Sequence, residues 1–347
     1  MKTIKPQRLH PGDTVAIVSP SWGGPSVFPG IYELGLRVLR DEFGLHIKEY
    51  PTARTDAETL YRQPQLRADD INLGFADSQV KAIIVSIGGD DSVRILPYLD
   101  AEVIRRNPKI LMGYSDTTTL LTVVNQLGLV TFNGPTVMSG FSQLRSWPHE
   151  FAIHLRAMLF EPSPTYEYQP YDIWSEGFPD WSDPANVGKV NPYRANDEGW
   201  RWLQGSGRVR GPLFGGCIEV LEFMKGTAFW PAPNFWHGKI LFFETSEDKP
   251  TPQQVTWMLR NYGMQGIFDK INGVLMGRPR DYADDEKKAL YEALVTVVAQ
   301  EFGRADLPII ANVDFGHTDP QVILPLGVPV EIDCDKQSLT LLEPAVA

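Results

Sequence analysis

Cysteine is scarce: two residues in 347, Cys217 and Cys334, far apart in the chain. That excludes a disulfide framework and points to a reducing compartment. Histidine is nearly as rare, with six scattered residues and no CxxC or HExxH spacing, so no metal is expected. Positive charge is in deficit. Lys and Arg number 32 against 43 Asp and Glu, a net charge of −11. This argues against a nucleic-acid polymer or an anionic membrane surface as partner. No apolar run is long enough to span a bilayer. Met1 to Leu9 carries basic residues but no apolar h-region, so no secretory signal is read. The expected location is the cytoplasm. No GxxxxGK[ST] or GxGxxG is present, so the common phosphate and dinucleotide loops are missing.

What is present is an ordinary globular composition, 43 % hydrophobic and 22 % charged, over a length that suggests two domains. Thr14 to Val18 reads as a buried strand ended by Ser19-Pro20-Ser21, and Ile31 to Phe43 has helical spacing. Leu45 to Tyr50 reads as a second strand. Thr55 to Phe75 reads as a charged helix interrupted at Pro64. Val80 to Ser86 is a further strand, ended by Gly88-Gly89-Asp90-Asp91-Ser92, with a short helix over Val93 to Leu99. Strands alternating with helices, each strand closed by a Gly/Ser turn, predict an α/β fold. The expectation is an N-terminal doubly wound parallel sheet, flavodoxin or class I amidotransferase-like, over residues 1–160. Residues 161–204 form a Trp-rich loop or linker, irregular and near the site. A smaller mixed α/β domain follows over 205–347. Ligands of such sheets bind at the carboxyl ends of the strands.

The segment Lys109 to Leu120 carries the main chemical signal. An apolar run stops at Gly113, Ser115 follows two residues later, and hydroxyl residues open an apolar helix. Strand, sharp turn with serine, helix is the shape of a nucleophile elbow. The amide of Asp116 then points toward an incoming carbonyl. A second glycine is usual two residues after the serine, and Thr117 stands there instead. A helix N-cap is the competing reading of Ser115. A serine nucleophile needs a base, and the base an orienting acid. Glu244 ends the run Ile240 to Phe243, and His317 follows Ile309 to Val313 in a Gly-His-Thr turn. Against this, Glu244 could cap Thr245-Ser246-Glu247 and His317 could be a solvated turn residue. The Gly88–Ser92 turn reads as a nest for an oxyanion or phosphate, or as a plain turn. It partly matches the GGDGT loop of nucleotide kinases, with Asp91 replacing a glycine. Trp174 and Trp181 are candidates for an aromatic wall beside a planar substrate group, with simple packing as the alternative.

Taken together, these segments resemble the serine peptidase family of LD-carboxypeptidases and microcin C self-immunity proteins. The carriers are Pro11-Gly12-Asp13 with Ala16 to Ser21, Ile87 to Ser92, Gly113-Tyr114-Ser115-Asp116, Asn133-Gly134-Pro135, Gly211 to Gly216, Leu241 to Glu244, and Asp314 to His317. The resemblance implies Ser115 as nucleophile, Glu244 as acid, His317 as base, and oxyanion amides at Gly89 and Asp116. It implies a small-molecule or peptide substrate, no cofactor, and a homodimer. Gly-Gly-Asp-Asp-Ser and the long Trp-rich insert resemble the microcin-immunity branch, which cleaves the bond joining an acidic amino acid to a modified adenylate. Many members have asparagine where this chain has Cys217. Cys217 is therefore a candidate substrate contact and a reason for a changed acyl preference. The expected activity is amide hydrolysis through an acyl-enzyme. A muropeptide LD-carboxypeptidase and a nonenzymatic small-ligand binder are the alternatives.

Overall fold

The computed structural model describes residues 3–347. Five strands of the first half, β1 (Thr14–Val18), β2 (His46–Glu49), β3 (Val80–Val85), β4 (Ile110–Gly113) and β5 (Thr131–Asn133), run parallel. Their spatial order is β2-β1-β3-β4-β5, that of a doubly wound sheet. β4 is buried throughout, as are all but one residue each of β1 and β3, which is why they read as near-continuous apolar runs. The helix Pro29–Phe43 begins on its proline and stops at Gly44, a left-handed cap with φ 67°. The helical stretch broken at Pro64 is two helices, Ala57–Arg62 and Pro64–Ala76. The short helix after the Gly88 turn is a 3-10 segment, Ser92–Tyr98, with Pro97 inside it.

The second half contributes four neighbouring parallel strands, β6 (Arg208–Cys217), β7 (Ile240–Glu244), β8 (Gly273–Gly277) and β9 (Ile309–Val313). The first half of β6 pairs antiparallel with Pro329–Asp333, so this eight-stranded sheet is mixed. The chain then returns to the first sheet. Leu324–Leu326 pairs antiparallel with β5 and closes its edge. The two sheets share one hydrophobic cluster that includes Val15, Ile84, Leu213, Leu275 and Leu324.

Residues 161–204 are more ordered than expected. Tyr166–Tyr168 pairs with Ser338–Leu341, Ile173–Glu176 with Thr318–Asp319 and Arg194–Ala195, and Arg201–Gln204 with β9. These strands are two to four residues long, too short to show an alternating pattern. No helix among the described residues is long and apolar enough to cross a membrane.

Candidate active site

β4 ends at Gly113, where a Cβ would lie 2.9 Å from Thr117 Cγ2. The turn is therefore closed by a threonine packed on a glycine. Ser115 follows with φ 60°, a left-handed conformation that is uncommon outside glycine and collects at functional turns. Its hydroxyl does not cap the following helix, since Thr118–Gln126 has no side-chain cap. Ser115 Oγ instead lies 3.0 Å from His317 Nε2. His317 Nδ1 lies 2.7 Å from Glu244 Oε2. Glu244 is the last residue of β7 and His317 stands four residues past β9, so both come from strand carboxyl ends. Cys217, ending β6, donates its backbone N–H to Thr118 Oγ1 at 3.0 Å and ties this sheet to the serine turn.

Two backbone approaches fix the acid. A Cβ on Gly277 would meet Glu244 Cβ at 2.7 Å, and one on Gly316, φ 98°, would meet Glu244 Cγ at 2.6 Å. Glu244 does not cap Ser246. Glu219 does, its Oε1 accepting from both Ser246 N–H and Oγ–H at 2.8 Å. Nor is His317 solvated: it is buried, and the Tyr114 ring meets it edge-on at 5.1 Å.

Gly88 lies directly against the serine. A Cβ there would be 2.9 Å from Ser115 Cβ and 3.5 Å from the Asp116 amide nitrogen. Gly89 also has no room for a side chain, with Ser21 Oγ 2.1 Å from the Cβ position. The buried Asp116 carboxylate accepts from Ser21 Oγ–H at 2.5 Å and from the Ser92 N–H at 2.8 Å. Burial pushes its pKa up. Ser21, Ser92 and Asp116 thus lace together the turns after β1, β3 and β4. Asp91 is taken by the buried guanidinium of Arg67, at 2.6 and 3.0 Å.

Burial alone would depress the His317 imidazole. The charges and hydrogen bonds of Glu244 and Glu247 outweigh it and raise the pKa to about 10. Glu247 Oε2 lies 3.0 Å from His317 Nε2, and that contact holds the Glu247 carboxyl down at about 2.

Ser115 opens on a cleft of about 300 Å³. Trp22, Gly89 and Asp90 line it from the first half of the chain, and Cys217, Glu219, Phe223, Glu247 and Asp248 from the second. Cys217 is buried, its Sγ 3.4 Å from Glu219 Oε2. Burial and the nearby Glu244 and Glu219 push its thiol pKa up, so it stays protonated. Trp174 is not in this cleft. It is buried under Arg278, 4.9 Å from the ring centroid, and lines a separate hollow of about 880 Å³. Trp181 packs on Phe178 at 4.8 Å and on Phe28 at 5.7 Å, and Phe28 in turn meets Trp22 at the cleft. Among the described residues no group of three His, Cys, Asp or Glu is arranged to hold a metal ion. Sequence reasoning missed Trp22, Asp90, Glu219, Glu247 and Asp248. Trp22 had a usable signal, since it follows a strand-end turn; Glu247 and Asp248 had none that separated one from the other.

A hydroxyl, an imidazole and a carboxylate in hydrogen-bonded series, on strand ends of an α/β fold, define a hydrolase class. The family is independently evident. Residues 15–134 match the LD-carboxypeptidase N-terminal domain and residues 210–332 the LD-carboxypeptidase C-terminal domain. The chain belongs to the LD-carboxypeptidase family of hydrolases. It is 29 % identical to the microcin C7 self-immunity protein MccF of Escherichia coli, over 96 % of this chain and 94 % of that one. The crystal structure of an MccF-like protein from Streptococcus pneumoniae in complex with AMP superposes with a TM-score of 0.85 at 29 % identity, covering 95 % and 98 % of the two chains. MccF in complex with aspartyl sulfamoyl adenosine superposes with a TM-score of 0.83 at 26 % identity, covering 99 % and 100 %.

Proposed function

We propose that this protein is a serine amidase that cleaves aminoacyl-nucleotide conjugates through an acyl-enzyme. The carrying observation is the series Ser115 Oγ, His317 Nε2, His317 Nδ1, Glu244 Oε2, with separations of 3.0 and 2.7 Å. In this reading His317 accepts the Ser115 proton as Oγ attacks the carbonyl carbon. Glu244 orients the ring and stabilises its charged form. The amides of Gly89 and Asp116 receive the developing oxyanion, a role supported by the contact of Gly88 with Ser115 and Asp116. Each such donor is worth about 3–4 kcal/mol of barrier. His317 then hands its proton to the leaving nitrogen, and water repeats the sequence on the ester. The nucleotide side of the substrate is supported by the AMP and aspartyl sulfamoyl adenosine complexes of the similar proteins. Trp22 supplies aromatic surface in the cleft, with Phe28 and then Trp181 packed behind it. Cytoplasmic action as a homodimer belongs to the same reading; the two unpaired cysteines support the compartment.

A second reading, a carboxypeptidase trimming a terminal D-alanine from muropeptides, is favoured by the family's own description and by the position of Trp174 outside the cleft. Ser115→Ala separates both from simple binding. Turnover of a sulfamoyl-adenosine conjugate should fall at least about 10⁴-fold with folding intact. Mass spectrometry of that conjugate beside an L,D-linked muropeptide decides between the two. Serine-dependent release of D-alanine alone would reject the nucleotide reading, and undiminished turnover by Ser115→Ala would reject both.

A further inference from the structure

Glu247 stands at the one atom the reaction needs free. Its Oε2 is 3.0 Å from His317 Nε2, and Ser115 Oγ is 3.0 Å from the same nitrogen. Nδ1 is already occupied by Glu244. With a carboxylate oxygen within 3.0 Å of each nitrogen, the ring is held as an imidazolium, which has no lone pair for the serine proton. Yet Glu247 is not locked in place. Its side chain is 56 % exposed, and the nearest cation besides the ring, Arg280 Nη1, is 4.0 Å away and bound through Nε to Asp281. The other groups facing the ring are fixed: Glu244, Asp319 and Tyr114 are all buried. The cleft around Glu247 is acidic. Asp90, Glu219, Glu247 and Asp248 line it, and among the described residues no lysine or arginine does. An anionic acyl group would meet these carboxylates at close range, where like charge is costly.

Resting on the serine-hydrolase reading, we propose that Glu247 is a specificity residue operated by the substrate. A cationic side chain on the acyl residue pairs with Glu247 and draws it off His317 Nε2. The imidazolium, now held by Glu244 alone, gives its Nε2 proton to water. The neutral nitrogen then faces Ser115 and accepts the hydroxyl proton as Oγ bonds to the carbonyl carbon. One carboxylate both selects the substrate and arms the base. Glutamyl and aspartyl conjugates leave Glu247 in place and the base protonated.

The test uses the whole protein with lysyl-, norleucyl- and glutamyl-sulfamoyl-adenosine, plus a neutral fluorophosphonate that labels the serine. Ser115→Ala and Glu247→Gln are compared with the native chain. Expected is a lysyl over norleucyl preference on the order of tenfold in kcat/KM, with glutamyl slowest. Glu247→Gln should remove that preference. It should also label faster near neutral pH, with the labelling profile moved to lower pH. Preference for the glutamyl conjugate, or an unchanged labelling profile in Glu247→Gln, overturns the proposal while leaving the hydrolase reading standing. Absence of Ser115-dependent labelling and turnover overturns both.

Discussion

The serine turn is held by close contacts with little slack, and Gly88 is the glycine that lies against Ser115 itself. A methyl there would sit 2.9 Å from Ser115 Cβ and 3.0 Å from its Oγ. Gly88→Ala must therefore move the hydroxyl, with little else in reach. We expect a fold close to native by circular dichroism and a loss of fluorophosphonate labelling of roughly a hundredfold, the usual cost of displacing a reacting group by about 1 Å. Ser115, Glu244 and His317, which the fold brings together, stood out as candidates in the sequence because each follows an apolar run at a strand end, where a sheet offers side chains to a cleft. Glu247 was not readable. It lies in Thr245-Ser246-Glu247-Asp248, a turn with two acids and no periodicity, and only the folded ring of His317 distinguishes it from Asp248.

The turns carry more of the site than the strands do. Asp314 to His317 must bend sharply after β9, and Gly316 makes that bend at φ 98° against the Glu244 side chain. Gly316→Ala adds backbone strain of about 1–2 kcal/mol and a clash with the acid. Thermal unfolding should show the loss of stability, and turnover should fall further than stability alone explains, because the acid is displaced. An unchanged melting temperature would contradict the geometry. At this scale the long buried strands were legible as apolar runs. The four strands between 166 and 204 were not: they are short, and they owe their existence to distant partners such as Ser338–Leu341 and β9.

At the scale of the whole molecule, two buried histidines with opposite shifts contribute opposite slopes to the pH response. His154 is held neutral by burial, its pKa pushed down to about 3, and its Nε2 accepts the Ile323 N–H at 2.7 Å. An unfolded histidine titrates near about 6.5. As pH falls from there toward 3, the unfolded chain takes up a proton that folded His154 refuses, and stability falls. His317 acts in reverse. Its contribution is complete below about 6.5 and is lost as pH rises toward 10. Each slope is about 1.4 kcal/mol per pH unit. Asp116 and Asp319, whose carboxyls burial raises, slope against His154 on the acid side, so difference curves are the clean measurement. Denaturant titrations from pH 4 to 6 should show His154→Gln losing less stability on acidification than the native chain. Parallel curves would remove His154 from this role. The strand Leu324–Leu326, drawn from near the chain's end, covers the outer edge of β5 in the other sheet. A chimera that borrows its second half from a relative therefore imports a piece of the first half's architecture. Such grafts will succeed or aggregate according to how that borrowed strand matches Thr131, Phe132 and Asn133, not according to where the junction is cut.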